Sequence, residues 1–165
     1  MKLARVLKHL VVPDWAARRA FPARVASRIE KAIRESERQH LGELRFVLEG
    51  GLPLPFLRAK KPARARAEDL FARLRVWDTE HNSGVLIYVQ LVDRRIEIVA
   101  DRGIAAKVGE EEWSAICRAM EKAFRAGRYE EGALEAIERA TGLLARHFPS
   151  GGQHRNELPD RPVVL

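Results

Sequence analysis

The residues best suited to chemistry lie in one polar run, Asp78–Gly84, immediately before a strongly apolar segment. This run carries carboxylate and amide oxygens, which hard cations such as Ca²⁺ and Mg²⁺ prefer as ligands. A second polar group, Asp101–Gly103, follows the next apolar segment. If the two groups meet in the fold, they form the site of a divalent cation, with the predicted ligands Asp78, Glu80, Asn82 and Asp101.

The same residues fit two other interpretations. In the first, the run is a solvated loop in which Asp78 or Thr79 caps a turn, while Asp101 pairs with Arg102. In the second, the protein is a metal-dependent phosphomonoesterase, in which the metal polarises a phosphoryl oxygen and activates water. Arg102 would then hold negative charge and His81 would donate a proton. The catalytic candidates of this alternative are His81, Asp101 and Arg102.

No stronger chemical motif competes with these two groups. The chain contains no glycine-rich phosphate-binding loop, no dinucleotide fingerprint and no zinc-protease or serine-hydrolase motif. The sequence therefore predicts no organic cofactor. Its one cysteine, Cys117, lies in a helical apolar stripe and excludes an intrachain disulfide.

Two apolar segments position the polar groups. Val85–Val92 is almost continuously apolar and β-branched, as expected of a strand covered on both faces. Arg95–Ala100 alternates between apolar and polar residues, and the two segments predict a tight hairpin turning at Asp93-Arg94. This hairpin would set Leu86 opposite Asp101 and Gly84 opposite Gly103. The two polar groups would then share one edge of the sheet.

The remaining periodicity predicts the element order α-β-α-β-β-α-α. A strand over Glu43–Glu49 is joined to the central strand through a helix, so the two should be parallel with a right-handed connection. The fold class is therefore α/β, a three-layer α/β/α sandwich around a small mixed sheet. The domain should span residues 21–149. It would follow a basic amphipathic extension over 1–20 and precede a flexible tail over 150–165.

Positive charge favours anionic partners. The chain has 165 residues, a formal charge of +7 and a pI near 10.1. Residues 58–75 contain seven basic and two acidic side chains, so they hold most of this excess. The run is either a solvated helix face or an anion-binding patch. The anion-binding candidates are Arg58, Lys60, Lys61 and Arg64.

The expected partners are a protein or an anionic membrane surface. The first 20 residues either pack an apolar stripe on the domain or bind a membrane as a basic amphipathic element. No nucleic-acid-reading motif accompanies the charge, which argues against nucleic acid. No apolar run is long enough for a membrane span, and charges interrupt any export signal. We therefore expect a cytoplasmic protein that contacts a membrane, if at all, from its surface.

The stretch from Trp77 to Ile104 resembles the TPM domain family, whose founders are thylakoid-lumen, photosystem II-associated and nematode receptor-regulating proteins. The similarity lies in the N-x-G-V-L-I run at Asn82–Ile87, in Asp93-Arg94 and in the D-R-G-I run at Asp101–Ile104. Further matching positions lie downstream, at Trp113, Phe124, Gly127, Tyr129, Gly132 and His147–Pro149.

The resemblance implies the same α/β/α sandwich and covers about residues 29–149. It also implies three roles proposed for family members: acid phosphatase activity, binding of calcium or other divalent cations, and assembly or repair of membrane complexes. The chain differs from many members because it has neither an export signal nor a C-terminal membrane helix that the sequence makes evident.

Overall fold

The structure, a computed structural model, describes residues 7, 9, 11, 19–59, 61–151 and 155–165. Its sheet has four strands in the order β3-β2-β1-β4. The elements, in chain order, are α1 (Ala23–Glu37), β1 (Glu43–Glu49), α2 (Leu54–Arg58), α3 (Ala63–Arg73), β2 (Gly84–Gln90), β3 (Arg95–Ala100), α4 (Arg102–Ala105), α5 (Glu110–Arg125), α6 (Tyr129–His147) and β4 (Val163–Val164).

The predicted core of the fold is confirmed. β1 runs parallel to β2 over its whole length, from Glu43 opposite Gly84 to Glu49 opposite Gln90. β2 is fully buried and antiparallel to β3. Two short helices add to the predicted order: α2 lies in the proline-rich connection between β1 and α3, and α4 follows β3 directly.

Helices cover both faces of the sheet. On one face α1, α5 and α6 enclose a large core with the inward side chains of all three long strands. On the other face α3 packs through Ala63, Ala67 and Leu70 against Val47, Leu86 and other sheet residues. Because β2 is covered from both sides, its sequence is apolar without alternation. The chain is thus an α/β/α sandwich with a mixed sheet.

The predicted hairpin register is wrong by two residues. Leu86 lies opposite Val99, not Asp101, and the Asp101 amide donates instead to Gly84 O at 2.8 Å. The strands are joined by a four-residue loop, 91–94, and Arg94 has φ +53°. The predicted two-residue turn at Asp93-Arg94 is not formed, and the sequence has no glycine there to favour it. Since the shift is even, every side chain keeps its predicted face.

The C-terminal segment is not the flexible tail that its composition predicted. Residues 163–164 form β4, which runs parallel to β1 and completes the sheet. The Leu165 amide donates to Leu48 O at 2.8 Å, and the Gly50 amide donates to Leu165 O at 3.0 Å. Leu158 is buried in the second core. Tertiary contacts, rather than local periodicity, therefore hold this segment in place.

Candidate cation site

The two polar groups lie together at one end of the sheet, where β1 and β2 begin and β3 ends. We call residues 78–83 and 101–103 the acidic rim. The Glu43 amide donates to Ser83 O at 3.0 Å, which fixes the end of the first group to the start of β1. The predicted meeting of the two groups is therefore confirmed, although it arises through a shifted hairpin register.

Internal hydrogen bonds shape the loop of the rim. The buried Thr79 hydroxyl accepts from the Ser83 amide at 2.9 Å, and Ser83 Oγ donates to Leu41 O at 2.9 Å. Asn82 has φ +50°, a left-handed conformation that asparagine tolerates better than most residues. The backbone carbonyl groups of this loop are thereby set toward the second polar group.

Close backbone packing joins the two groups. Arg102 Nε donates to Asn82 Oδ1 at 2.9 Å, and the Gly103 amide donates to Asn82 O at 3.1 Å. A Cβ atom at Gly103 would come within 2.6 Å of Asn82 O and 2.7 Å of His81 O. Glycine is required here because any side chain would push these carbonyl oxygens away.

Asp101 begins α4 and uses only one carboxylate oxygen to do so. Its Oδ1 accepts from the Arg102 amide at 2.7 Å. Its Oδ2 is buried and has no hydrogen-bond partner in the part of the chain that the structure describes. An unsatisfied buried oxygen is unfavourable, so this atom is the position in the rim that best suits a cation.

A TPM domain model matches residues 18–143. This match covers most of the chain. The chain belongs to the TPM domain family. It is similar to the BA42 protein from the psychrophilic bacterium Bizionia argentinensis, solved by NMR, with 31% identity, a TM-score of 0.76 and coverage of 87% of this chain and 94% of that one.

A second solved structure, the N-terminal domain of a protein from P. gingivalis, shares the fold. It has 18% identity and a TM-score of 0.63, and the match covers 89% of this chain and 97% of that domain. No curated protein shows significant similarity to the chain.

The four predicted cation ligands have different environments in this TPM domain. Asn82 and Asp101 lie together through Arg102 and Gly103, as described above. Asp78 is half exposed and pairs with Arg75 at 3.0 Å, and Glu80 is exposed. Within the described residues, no three carboxylate, imidazole or thiol groups are placed to hold a metal ion. The four-ligand set therefore stays a prediction.

Nothing in the rim favours the phosphatase alternative over a bound cation. His81, its proposed proton donor, is exposed. Arg102, its proposed charge-holding group, has its Nε engaged by Asn82. The catalytic roles of His81, Asp101 and Arg102 stay predictions.

Sequence reasoning missed the part that the C-terminal segment takes at the rim. The Glu157 carboxylate accepts from the Glu80 amide at 3.1 and 3.2 Å. In turn, the buried Glu43 carboxylate accepts from the Glu157 and Leu158 amides at 3.1 and 3.0 Å. No periodic signal marks this segment. Glu43 is the signal that could have found it. A carboxylate at the start of an otherwise apolar strand indicates a buried hydrogen-bond acceptor.

A second buried carboxyl group lies beside Glu43. Glu37 is 6% exposed and accepts from the Leu44 amide at 2.8 Å. Burial, together with the nearby Glu43 and Asp160, raises the pKa of Glu37 to about 9. Glu37 is thus protonated at neutral pH and can donate to the Asp160 carboxylate.

The predicted anion-binding residues have different environments. Arg64 donates to Ile98 O at 2.6 Å and pairs with Glu68, so it belongs to the fold. Arg58 is exposed and makes no ion pair within the described residues, and Lys61 lies 5.4 Å from the Phe56 ring centre. Lys60, and most of the predicted extension over 1–20, lie outside the described residues.

A buried serine–histidine pair has the residue types of a catalytic pair, but its hydrogen bond runs in the opposite direction. The Gly42 amide donates to His40 Nδ1 at 3.1 Å, so Nε2 carries the proton and donates to Ser36 Oγ at 2.8 Å. Ser36 donates in turn to Thr141, whose hydroxyl donates to Ile137 O at 2.7 Å. His40 therefore cannot accept the serine proton, and the pair ties α1 to α6.

A groove of about 510 Å³ runs along the outer edge of β3 between α3 and α5. Cys117 lines it, but burial raises the pKa of this thiol to about 12. The thiol is therefore protonated at neutral pH and is not an activated nucleophile. This agrees with the prediction that Cys117 packs in a helical stripe.

Proposed function

We propose that this TPM domain is a divalent-cation-binding module, with its site at the acidic rim. A bound Ca²⁺ or Mg²⁺ would order the loop 78–83 and so support contact with a protein or membrane partner. The observation that carries the proposal is Asp101 Oδ2, a buried carboxylate oxygen without a hydrogen-bond partner in the described chain.

The surrounding atoms suit a hard cation. The Gly103 backbone lies close to the carbonyl oxygens of His81 and Asn82, and these oxygens lie on the loop that meets Asp101. Carboxylate, amide and backbone carbonyl oxygens are the usual ligands of Ca²⁺, and water completes its coordination. We assign Asp101 as the charged ligand, with Asn82 and the two carbonyl groups nearby.

A bound ion would supply charge neutralisation rather than bond-breaking chemistry. Glu80, Glu157 and Asp101 bring negative charge to this end of the sheet, and the Glu80–Glu157 contact joins the loop to the C-terminal segment. Neutralising that charge would let the loop and the segment stay in contact. The rim would then present a more ordered surface to a partner.

The test is titration of the full chain with Ca²⁺ and with Mg²⁺, followed by calorimetry and by amide NMR shifts of His81, Asn82 and Gly103. We expect Asp101→Asn to weaken binding by more than about tenfold, because even outer-shell partners of a metal contribute that much. Asp78→Asn should change the affinity by less than about twofold, since Asp78 is an exposed ion-pair residue.

Glu111→Gln provides the matched control, because its side chain is 93% exposed on α5. It removes one negative charge without touching the rim. Absence of heat and of amide shifts at millimolar metal would overturn the proposal. Equal losses in Asp101→Asn and Glu111→Gln would show a diffuse charge effect instead of a site. Turnover of an aryl phosphate in the same samples tests the phosphatase alternative.

A further inference from the structure

The N-terminal residues that the structure describes are anchored at the end of the sheet opposite the acidic rim. His9 is 4% exposed, and its Nδ1 accepts from the Leu52 amide at 3.0 Å. Its Nε2 lies 3.2 Å from Asp93 Oδ1, in the loop between β2 and β3. A Cβ atom at Gly51 would come within 2.4 Å of His9 O. His9 therefore lies directly on the connection that leads into α2.

This anchoring determines which side chains face outward. Residues 7, 9 and 11 are helical. Positions two apart in an α-helix lie on nearly opposite sides, and positions four apart lie on the same side. With His9 inward, Leu7 and Val11 must share the outer face, and they are 57% and 69% exposed.

The same pattern occurs on α2. Leu54, two residues after the His9 contact at Leu52, is 44% exposed. Arg58, four positions later on the same side of α2, is exposed without an ion pair in the described chain. We call Leu7, Val11, Leu54, Arg58 and Lys61 the basic-apolar patch.

The charge of the adjoining sequence indicates the occupant. Residues 1–19 contain five Lys or Arg residues and one Asp, and residues 50–61 contain three basic residues and no acidic one. Exposed aliphatic side chains on segments of net positive charge match a surface that is apolar below and anionic above. Such a surface is a leaflet of anionic lipid, which attracts nearby Lys and Arg side chains.

We propose that the basic-apolar patch docks on an anionic lipid surface. Leu7, Val11 and Leu54 enter the headgroup boundary, and Arg58 and Lys61 contact the headgroups. Combining aliphatic insertion with charge gives reversible binding, for which neither contribution is sufficient alone. This surface is separate from the proposed cation site and does not depend on it.

The experiment is sedimentation of the full chain, in EDTA, with vesicles of phosphatidylcholine alone or mixed with phosphatidylserine. We expect binding only to the mixed vesicles, and binding that weakens as salt is raised. Leu7→Gln with Val11→Gln should reduce the affinity by more than about tenfold, because two aliphatic side chains lose their burial. Arg58→Gln should reduce it by about fivefold.

Matched controls come from elsewhere on the molecule. Trp77→Gln removes a 48% exposed apolar side chain beside the acidic rim, and Arg118→Gln removes an exposed charge on α5. Both should bind vesicles as the wild type does. Since Leu7 and Val11 are exposed, their double variant should keep the wild-type melting temperature, which separates lost docking from lost folding.

Four outcomes would overturn the proposal. One is no binding to the mixed vesicles, and another is equal binding by wild type and the Leu7, Val11 double variant. The third is full competition by soluble glycerophosphoserine, which would indicate an anion pocket rather than a lipid surface. Binding to an RNA oligonucleotide that falls in Arg58→Gln but not in the double variant would assign the patch to nucleic acid. None of these results bears on Ca²⁺ binding at the rim.

Discussion

At the scale of single residues, the least expected feature is a carboxylic acid that stays protonated. Burial, together with the neighbouring Glu43 and Asp160, raises the pKa of Glu37 to about 9. In the unfolded chain the pKa of the same group is near 4.5. Between these values the folded state holds a proton that the unfolded state has released. Stability must therefore fall as the pH rises through this window.

We expect Glu37→Gln to remove this dependence. Glutamine has the shape of the protonated acid, so it can accept from the Leu44 amide and donate to Asp160 without titrating. The unfolding free energy of the variant should exceed that of the wild type by an amount that grows between pH 5 and pH 9, with a slope of up to roughly 1.4 kcal/mol per pH unit.

Urea denaturation at a series of pH values measures this difference. Glu35→Gln is the matched control, because Glu35 lies on the same helix with a side chain that is 57% exposed. The difference in unfolding free energy between Glu35→Gln and the wild type should not change with pH between pH 5 and pH 9. If the difference in unfolding free energy for Glu37→Gln is also independent of pH, Glu37 is ionised in the folded protein.

At the scale of elements, the C-terminal segment depends on hydrogen-bonding and charged side chains supplied by β1 and α1. Glu43 accepts two of its amides, and Arg45 donates to Arg161 O at 2.9 Å and to Pro159 O. Arg34 pairs with Asp160 at 3.1 Å. These contacts hold residues 157–161 against the sheet before β4 begins. The segment should therefore loosen as a unit when these partners are removed.

We expect Glu43→Gln to loosen it selectively. The amide replaces one acceptor oxygen with a donor, so the Glu157 and Leu158 amides can no longer both be satisfied. The cost should be about 1–3 kcal/mol. Hydrogen exchange at Glu157 and Leu158 should accelerate while exchange at Ile87 in the central strand changes only with global stability. Uniform acceleration throughout the sheet would contradict a local role.

The elements differ in how far the sequence could predict them. β2 and the packing helices were predictable because their periodicity reflects burial within the element itself. The meeting of residues 78–83 with Asp101 was predictable because any hairpin at residue 93 folds β3 back along β2. The hairpin register depended on a four-residue loop without glycine. The position of β4 depended on Glu43 and Arg45, which contact the C-terminal segment from 114 or more residues away in the sequence. Neither the register nor the position of β4 leaves a local sequence pattern.

The same distinction applies to the candidate site. Asp101 and Asn82 were predicted from residue type and hairpin geometry, and the structure brings them together. Asp78 was predicted on residue type alone, but its conformation follows from Arg75, which has φ +54° and pairs with it. Glu157 belongs to a segment whose position no short-range signal encodes. Sequence therefore identified the edge but not the complete set of groups there.

At the scale of the whole molecule, the sheet separates two ends of opposite character. The acidic rim lies where β1 begins, and the basic-apolar patch lies beyond the point where β1 ends. Seven residues of extended chain span about 20 Å. Screening at physiological salt acts over about 8 Å, so charge at one end has little effect on the other. The two proposed sites, for a lipid surface at the patch and for a cation at the rim, are therefore too far apart for charge alone to couple them.

We therefore expect the two sites to bind independently. Ca²⁺ itself binds phosphatidylserine and weakens the negative potential of the vesicle. The experiment therefore compares two proteins, the wild type and Asp101→Asn. For each, the quantity measured is the change in vesicle affinity when Ca²⁺ is added. The two changes should agree within about twofold, because the rim is more than two screening lengths from the patch. A larger gain for the wild type would show that a rim-bound ion acts on membrane docking. The loop 78–83 would then have to be coupled to His9 through the sheet.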